Sequence, residues 1–352
     1  MRPQVWRNAR AMSLIPLPAQ PADVPWPTAQ WPTGELPAAL DRTDFDARVA
    51  EAFAEGGSPR LGETHALVVV QGGRLVFERY GGGFGPDDTQ KSWSMAKSIT
   101  QALVGMLVGD GRLDIHAPAD APEWREAGDS RGAITLDQLL RMSSGLSFIE
   151  DYVPGTVSDV REMLFGSGKD DVAHYAATRP LEHPPGSFWS YSSGTTNIVA
   201  RCAGQAAGDL QAYMHQRLFG PLGMRTVKPR FDAAGTFIGS SYCFASARDF
   251  ARFGLLYLRD GLWEGRRLLP EGWVDYARTP TFQQADADGD PYGAHWWLGM
   301  GGPGSFSANG YEGQHIVIAP DLDLIVVRNG ATPLELQPEL KLWLGELVDG
   351  FR

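Results

Sequence analysis

Lysine and cysteine are both scarce in this chain of 352 residues. It has five lysines against 26 arginines, and its two cysteines, Cys202 and Cys243, lie far apart in separate apolar stretches. Two isolated cysteines predict buried free thiols rather than a disulfide, and no Cys/His cluster has the spacing of zinc ligands. We therefore expect neither a metal nor another cofactor.

The chain also has too little positive charge for several classes of partner. Lys and Arg number 31 against 42 Asp and Glu, which gives a net charge of −11. An acidic chain without a basic block is a poor ligand for nucleic acid or for an anionic membrane surface. We expect neither as a partner.

Long apolar runs are absent as well. Near the N-terminus, Arg2, Arg7 and Arg10 accompany the apolar stretch 12–17, which is short and is interrupted by Pro16. This is too short for a signal peptide, and no run elsewhere is long enough to span a bilayer. We expect a cytoplasmic protein; a periplasmic location would require a leader that is missing from this sequence.

The hydrophobic periodicity divides the chain into three parts. Residues 1–40 hold eight prolines and little periodicity, which predicts an extended arm rich in Pro and Trp. Strand-like runs concentrate in residues 41–110 and 240–352, whereas residues 111–239 favour helices. The pattern predicts an α/β (α+β) protein whose sheet domain is discontinuous and carries a helical insertion domain.

Particular elements can be placed within this outline. Residues 65–70 and 75–80 predict two strands joined by a Gln-Gly-Gly turn, and residues 94–108 predict a helix with a buried stripe. Three more strands are predicted at residues 296–299, 313–318 and 322–327.

The clearest chemical signal is Ser-Met-Ala-Lys at residues 94–97, where a helical run begins. A serine and a lysine three residues apart share one helix face. A serine hydroxyl is a weak nucleophile and needs an activator, which Lys97 can be if burial lowers its pKa. The pattern is typical of covalent serine catalysis. The alternative is a surface Ser94 and Lys97 at an ordinary helix start.

Two further segments fit the same chemistry. Tyr191 lies in a turn rich in hydroxyl side chains, and a phenol beside a charged lysine can be driven towards phenolate and act as a general base. In residues 309–316, glycines let a substrate lie against a strand edge, where a backbone N–H can bind an oxyanion. The alternatives are a packing tyrosine and an ordinary strand start.

Two competing motifs are incomplete in this sequence. The segment 190–194 lacks the first glycine of Gly-x-Ser-x-Gly, and the segment 166–169 lacks the upstream glycine and following Ser/Thr of a Walker loop. His295 and His315 are predicted to pack or to line a pocket, because no Asp or Glu is placed to orient them as bases.

Together, the three segments resemble the serine hydrolases of the class C β-lactamase and penicillin-binding-protein superfamily, from about residue 24 to the end of the chain. Supporting stretches lie at residues 134–146, 219–224 and 251–256. Within the superfamily the chain is similar to the 6-aminohexanoate-dimer (nylon oligomer) hydrolases and related esterases. Residues 150–152 and 158–160 strengthen this likeness. The resemblance implies a β-lactamase-like fold: an antiparallel sheet flanked by helices, an all-helical insertion, and a site at their junction.

The resemblance also implies residue roles. Ser94 is the acylated nucleophile, and Lys97 and Tyr191 form its proton-transfer network. The backbone N–H groups of Ser94 and Gln314 form the oxyanion hole. The implied substrate-binding residues are Tyr152, Ser193, Tyr311, Glu312, Gly313 and Trp296.

Two positions depart from the superfamily's pattern. Ser193 stands where asparagine is usual, and Tyr311 stands where β-lactamases have a lysine that binds the substrate carboxylate. The loss of that cation argues against efficient β-lactam hydrolysis and favours an amidase or esterase for a small-molecule substrate. A D-amino-acid peptidase, a weak β-lactamase and a non-catalytic penicillin-recognition scaffold are the alternatives.

Overall fold

A six-stranded antiparallel sheet forms the centre of the protein. The computed structural model describes residues 14–153, 155–282 and 290–352, so part of the predicted arm, residues 1–13, lies outside the description. The strands are β1 (Glu63–Gln71), β2 (Arg74–Tyr80), β3 (Lys228–Pro229), β4 (Cys243–Phe244), β5 (Leu262–Trp263), β6 (Arg266–Arg267), β7 (Trp297–Leu298), β8 (Phe306–Gly310), β9 (Gln314–Ala319) and β10 (Leu324–Ala331). The sheet order is β2-β1-β10-β9-β8-β7, so the first and last long strands of the chain are neighbours.

Strand β1 shows why the sheet is buried on both faces. Successive side chains of a strand point to opposite faces. Val68 and Val70 accordingly enter the main core with the helices, whereas Leu67 and Val69 enter a second core behind the sheet. The β-branched run therefore fills both layers, and the sheet is covered on each side. The predicted fold class is confirmed.

The predicted strands differ from the observed ones mainly at the end of the chain. The first hairpin is found, and Gly72 and Gly73 both have positive φ in its turn. Strand β8 was not predicted, because Phe-Ser-Ala-Asn-Gly has one large apolar residue and no alternation. Its small side chains are buried by their neighbours in the sheet, which local sequence does not reveal.

Helices cover both faces of the sheet. They are α1 (Arg42–Ala52), α2 (Met95–Gly109), α3 (Leu136–Leu140), α4 (Asp159–Phe165), α5 (Val172–Ala177), α6 (Ser193–Ala207), α7 (Leu210–Met214), α8 (Gly220–Leu222), α9 (Ala247–Leu258), α10 (Trp273–Ala277) and α11 (Gln337–Asp349). None of the described helices is both long and apolar enough to cross a membrane.

Helices α1 and α11 build the second core. Phe45 and Val49 of α1 pack there together with Trp343 and Leu347 of α11, against the face of the sheet that carries Val69. These large apolar side chains have almost no exposed surface. Their burial closes one side of the sheet, so that the other side is left for the helices that carry the candidate site.

Helix α2 is the central helix of the main core. Every residue from Met95 to Leu107 is buried, Lys97 and Gln101 among them. It contacts α6 on one side and strands β8 and β9 on the other. A helix so enclosed places whatever stands in its first turn at the junction of the sheet and the helical region.

Two glycines in the helices of the main core allow a matched test of this packing. A Cβ on Gly105 of α2 would lie 2.3 Å from Trp273 Nε1, whereas a Cβ on Gly204 of α6 would meet Leu210 Cδ2 at 3.9 Å, outside the backbone of its own helix. We expect Gly105→Ala to lower the free energy of unfolding by about 1–3 kcal/mol through overpacking. Gly204→Ala should raise it by up to ~1 kcal/mol, because alanine favours helix.

The midpoint and slope of urea unfolding, followed by far-ultraviolet circular dichroism, measure both changes. A Gly105→Ala protein at least as stable as the wild type would contradict the close contact between α2 and Trp273.

Candidate active site

The nucleophile candidate stands where the chain turns into α2. Ser94 is the residue before the helix, and it is partly exposed to solvent. Trp93, just before it, has a φ of +43°, a conformation that costs a non-glycine residue free energy and is concentrated at functional sites. The turn presents the Ser94 hydroxyl at the start of the helix, where the helix dipole favours negative charge.

Lys97 points from the first turn of α2 into a ring of oxygen atoms. Its Nζ donates to Ser94 Oγ at 2.9 Å, to Ser193 Oγ at 2.9 Å and to the backbone oxygen of Ser240 at 3.0 Å. An ammonium has three N–H donors, so these contacts use all of them. Burial lowers the pKa of Lys97 to about 8, and the nearby charge of Glu150 opposes that shift.

Tyr191 lies against the lysine. Its ring centre is 4.9 Å from Lys97 Nζ, and its ring also packs on Trp297 at 5.4 Å and Tyr292 at 5.9 Å. Burial raises the pKa of Tyr191 well above its usual value, Glu150 raises it further, and a hydrogen bond with the Ser94 side chain lowers it. The resting residue is therefore a neutral phenol, rather than the phenolate that the sequence argument allowed.

Glu150 is a member of the site whose role the sequence did not indicate. It accepts hydrogen bonds from the Ser193 hydroxyl at 2.6 Å, the Ser193 N–H at 2.7 Å and the Tyr152 hydroxyl at 2.5 Å. Ser193 is the first residue of α6, where backbone N–H groups have no partner within the helix. In the sequence, the only indication of a role for Glu150 was that it stands two residues before Tyr152.

Three of the predicted substrate-binding residues form one wall. The rings of Tyr152 and Tyr311 stack with centres 4.8 Å apart, and Tyr311 meets Trp93 edge to face at 5.4 Å. Glu312 accepts a hydrogen bond from Trp93 Nε1 at 2.7 Å. The structure thus brings Tyr152, Tyr311 and Glu312 together beside the residue that precedes the nucleophile.

Gly310, rather than Gln314, is the part of this wall that lies closest to the nucleophile's turn. A Cβ on Gly310 would lie 2.4 Å from the backbone oxygen of Ser92 and 3.1 Å from Trp93 Cβ. Gln314 starts the neighbouring strand β9, and its buried side chain donates to the Gly330 carbonyl at 2.6 Å. The close approach therefore falls four residues before Gln314, the residue predicted to supply an oxyanion-hole N–H, because β8 was not recognised as a strand.

Gly313 and Trp296 were predicted to bind substrate, and the structure places the first in a tight turn and the second in the core. Gly313 has a φ of +77°, and a Cβ there would collide with Arg328 and Leu340, so it shapes the turn between β8 and β9. Trp296 is fully buried and packs on Tyr257 at 4.5 Å and on Phe306 at 5.2 Å.

Trp297 is the neighbour that reaches the site. Its ring lies 5.4 Å from Tyr191, 4.9 Å from Tyr292 and 6.1 Å from Trp189. Adjacent residues of an extended chain point to opposite sides. Of two neighbouring tryptophans, therefore, one enters the core and the other faces the site. Tyr191 is therefore surrounded by aromatic rings, those of Trp189, Tyr292 and Trp297.

The two histidines are packing residues, in agreement with the sequence argument. His295 Nδ1 contacts the Leu140 carbonyl at 2.7 Å and its Nε2 contacts Thr196 Oγ1 at 3.0 Å. Burial lowers the pKa of His295 and of His315 to about 3, so both are neutral. In the three described stretches of the chain, no group of three His, Cys, Asp or Glu side chains is arranged to hold a metal ion.

The chain is similar to a known protein family over most of its length. The sequence profile of the Beta-lactamase family matches residues 46–340. The 6-aminohexanoate-dimer hydrolase of Paenarthrobacter ureafaciens is 26% identical over 361 residues, with 97% of this chain and 88% of the relative covered. Esterase EstB of Burkholderia gladioli is 28% identical over 206 residues, covering 53% of this chain and 52% of the esterase.

A solved structure with a similar fold carries a related name. A solved structure from Bacillus anthracis, provisionally named a 6-aminohexanoate-dimer hydrolase, superposes with a TM-score of 0.74 at 21% identity, covering 95% of this chain and 90% of that one. The family match spans most of the chain and includes the turn and helix that carry Ser94 and Lys97. The chain therefore belongs to the Beta-lactamase family, and its relatives include amide hydrolases and esterases.

Proposed function

We propose that this protein is a serine hydrolase that cleaves a carboxylic amide or ester through an acyl-enzyme on Ser94. The observation that carries the proposal is the contact of 2.9 Å between Lys97 Nζ and Ser94 Oγ, made by a lysine that is 1% exposed. Within the described parts of the chain, Lys97 has no carboxylate at ion-pair distance to hold its proton directly. Such a lysine is suited to act as a base.

Acylation would begin when Lys97, in its free-base form, takes the proton of the Ser94 hydroxyl. Ser94 Oγ then forms a bond to the substrate carbonyl carbon, and the carbonyl electrons move to oxygen. The neutral phenol of Tyr191 is placed to protonate the leaving amine or alcohol. A water molecule then attacks the acyl-enzyme with the same groups in the reverse roles.

The developing oxyanion needs two donors aimed at one point. The Ser94 N–H at the start of α2 is the first. We assign the second to the Tyr311 N–H, because the close approach of Gly310 to Ser92 brings this segment, rather than Gln314, against the nucleophile's turn. A side chain at Gly310 would push the two segments apart, which explains why glycine stands there.

The charge and shape of the wall support a substrate that is not anchored by a carboxylate. Residues 306–313 contain no Lys or Arg, in the strand and turn that face the nucleophile's turn. Aromatic rings occupy that wall and the surround of Tyr191. The names of the two curated relatives, an amide hydrolase and an esterase, agree with this substrate class.

A weak β-lactamase or D-amino-acid peptidase is the second candidate, because one cation does lie beside the wall. Lys91 Nζ sits 4.3 Å from the ring centre of Trp93. An ammonium there could attract an anionic substrate group in place of the usual lysine. The contact among Ser94, Lys97 and Tyr191 argues against a scaffold without catalysis.

Replacing Lys97 with methionine tests the proposed base. Lys97→Met keeps an unbranched apolar stem of similar volume but removes the amine, so hydrolysis of p-nitrophenyl butyrate should fall by about 10²–10⁴-fold. The variant should still fold but lose about 1–3 kcal/mol of stability, because the buried Ser193 hydroxyl and Ser240 carbonyl lose their donor. Lys169→Met, at an exposed lysine, is the matched control. Hydrolysis by Lys97→Met at the rate of the control would refute the assignment.

A parallel assay on three substrates tests the reaction class. We expect turnover of p-nitrophenyl butyrate or of the linear 6-aminohexanoate dimer, little turnover of nitrocefin, and none of any in Ser94→Ala. Labelling by a fluorophosphonate should also disappear in Ser94→Ala. Fast nitrocefin turnover that Lys91→Met abolishes would favour the β-lactamase alternative. Full labelling of Ser94→Ala would contradict the proposed function.

A further inference from the structure

We infer that Ser193 and Glu150 form a proton relay that removes the proton of the Lys97 ammonium before Ser94 attacks. The inference rests on the proposed serine hydrolase function and adds to it the route by which the base is generated. It makes Glu150, through Ser193, a positioning and proton-accepting partner of the lysine rather than a residue that binds substrate.

The need for such a route follows from the contacts of Lys97. Its three donors point at Ser94 Oγ, Ser193 Oγ and the Ser240 carbonyl, which is the arrangement of a protonated ammonium. An ammonium cannot accept the proton of Ser94. Of the three acceptors, the Ser240 carbonyl has no proton to pass on, and Ser94 is the group to be activated. Of the three, Ser193 is therefore the acceptor through which the Lys97 proton can leave.

Ser193 is placed to pass a proton rather than only to accept a hydrogen bond. Its Oγ accepts from Lys97 Nζ at 2.9 Å and donates to Glu150 Oε1 at 2.6 Å. In the proposed step, a proton moves from Nζ to Ser193 Oγ while the hydroxyl proton of Ser193 moves to Glu150 Oε1. The N–H and O–H bonds broken equal those formed. The Lys97 ammonium and the Glu150 carboxylate, which are joined only through Ser193, become a neutral amine and a neutral carboxylic acid.

Burial of the lysine end of the relay favours the neutral amine. Lys97 is 1% exposed and Ser193 is fully buried, and burial disfavours separated charges. The Ser193 N–H donates to Glu150 Oε2 at 2.7 Å and the Tyr152 hydroxyl donates to Oε1 at 2.5 Å, which fix the carboxylate in line with Ser193. At deacylation Lys97 returns a proton to Ser94, and the relay then runs in reverse: Glu150 Oε1 gives its proton to Ser193 Oγ while the Ser193 hydroxyl proton moves to Lys97 Nζ, which restores the ammonium and the carboxylate.

Other groups that face Lys97 do not compete for its proton. Tyr191 and Tyr152 have pKa values raised mainly by burial, so both are neutral phenols, and His295 has a pKa lowered by burial to about 3. Glu150 is the one charged group that shifts the pKa of Lys97.

The test is the rate at which a fluorophosphonate labels Ser94, measured against pH in the full-length protein, Glu150→Gln and Ser193→Ala. This probe reports nucleophile activation without a known substrate. With the relay, each variant should react at least ~10-fold more slowly than the wild type near about pH 6, and within about 2-fold of it above about pH 9. The gap closes because Lys97 loses its proton to solvent above its own pKa of about 8.

Two other roles for Glu150 give different curves. If its charge only holds the proton on Lys97, Glu150→Gln lowers the pKa of Lys97 further, and the variant labels faster than the wild type at low pH. If its role is structural, the rate falls by the same factor at every pH. Either result overturns the relay, and Ser193→Ala decides alone if Glu150→Gln does not fold.

Glu312→Gln is the matched control, because Glu312 is a second carboxylate of the site that contacts Trp93 rather than Ser193. Its rate relative to the wild type should not vary with pH. The experiment also separates the two proposals. A wild-type protein that is not labelled at Ser94 sinks the proposed function, whereas Ser94-dependent labelling with ratios that do not change with pH sinks the relay alone.

Discussion

A single lysine amine, buried at the start of the central helix and surrounded by three oxygen atoms, is the interaction on which the site depends. The three oxygens come from separate parts of the chain: Ser94 before α2, Ser193 at the start of α6, and Ser240 after the helical region. Because an ammonium must be fully hydrogen-bonded when it is buried, these parts have to converge at Lys97. The sheet and the helical region thus meet where the chemistry occurs.

The electrostatics around that amine follow from burial more than from ion pairing. Burial lowers the pKa of Lys97 and raises that of Tyr191, which moves the base and the acid towards their uncharged forms. Glu150 opposes the first shift and adds to the second. The site therefore contains a basic amine and a neutral phenol around one hydroxyl, the set of groups that acyl transfer needs. The absence of Lys and Arg from residues 306–313 supports the proposed preference for substrates that are not anchored by a carboxylate.

Local sequence was sufficient for the parts of the site that lie within one element. Ser94 and Lys97 share a helix turn, so their spacing indicated them, whereas the role predicted for Tyr191 came mainly from the family resemblance. The remaining parts depend on tertiary packing: Glu150 reaches Ser193 from a loop 43 positions away, and strand β8 is buried without an apolar pattern of its own. For this reason Gln314 was chosen over the Gly310–Tyr311 segment, and Trp296 over Trp297.

The titration of Lys97 in the free protein tests the account most directly. The chain has only five lysines, so ¹³C labelling of the lysine side chains gives five signals that nuclear magnetic resonance can follow against pH. The account predicts one signal that titrates near 8 and is lost in Lys97→Met. Five signals that all titrate near about 10.4 would show an ordinary, solvated ammonium and would contradict it.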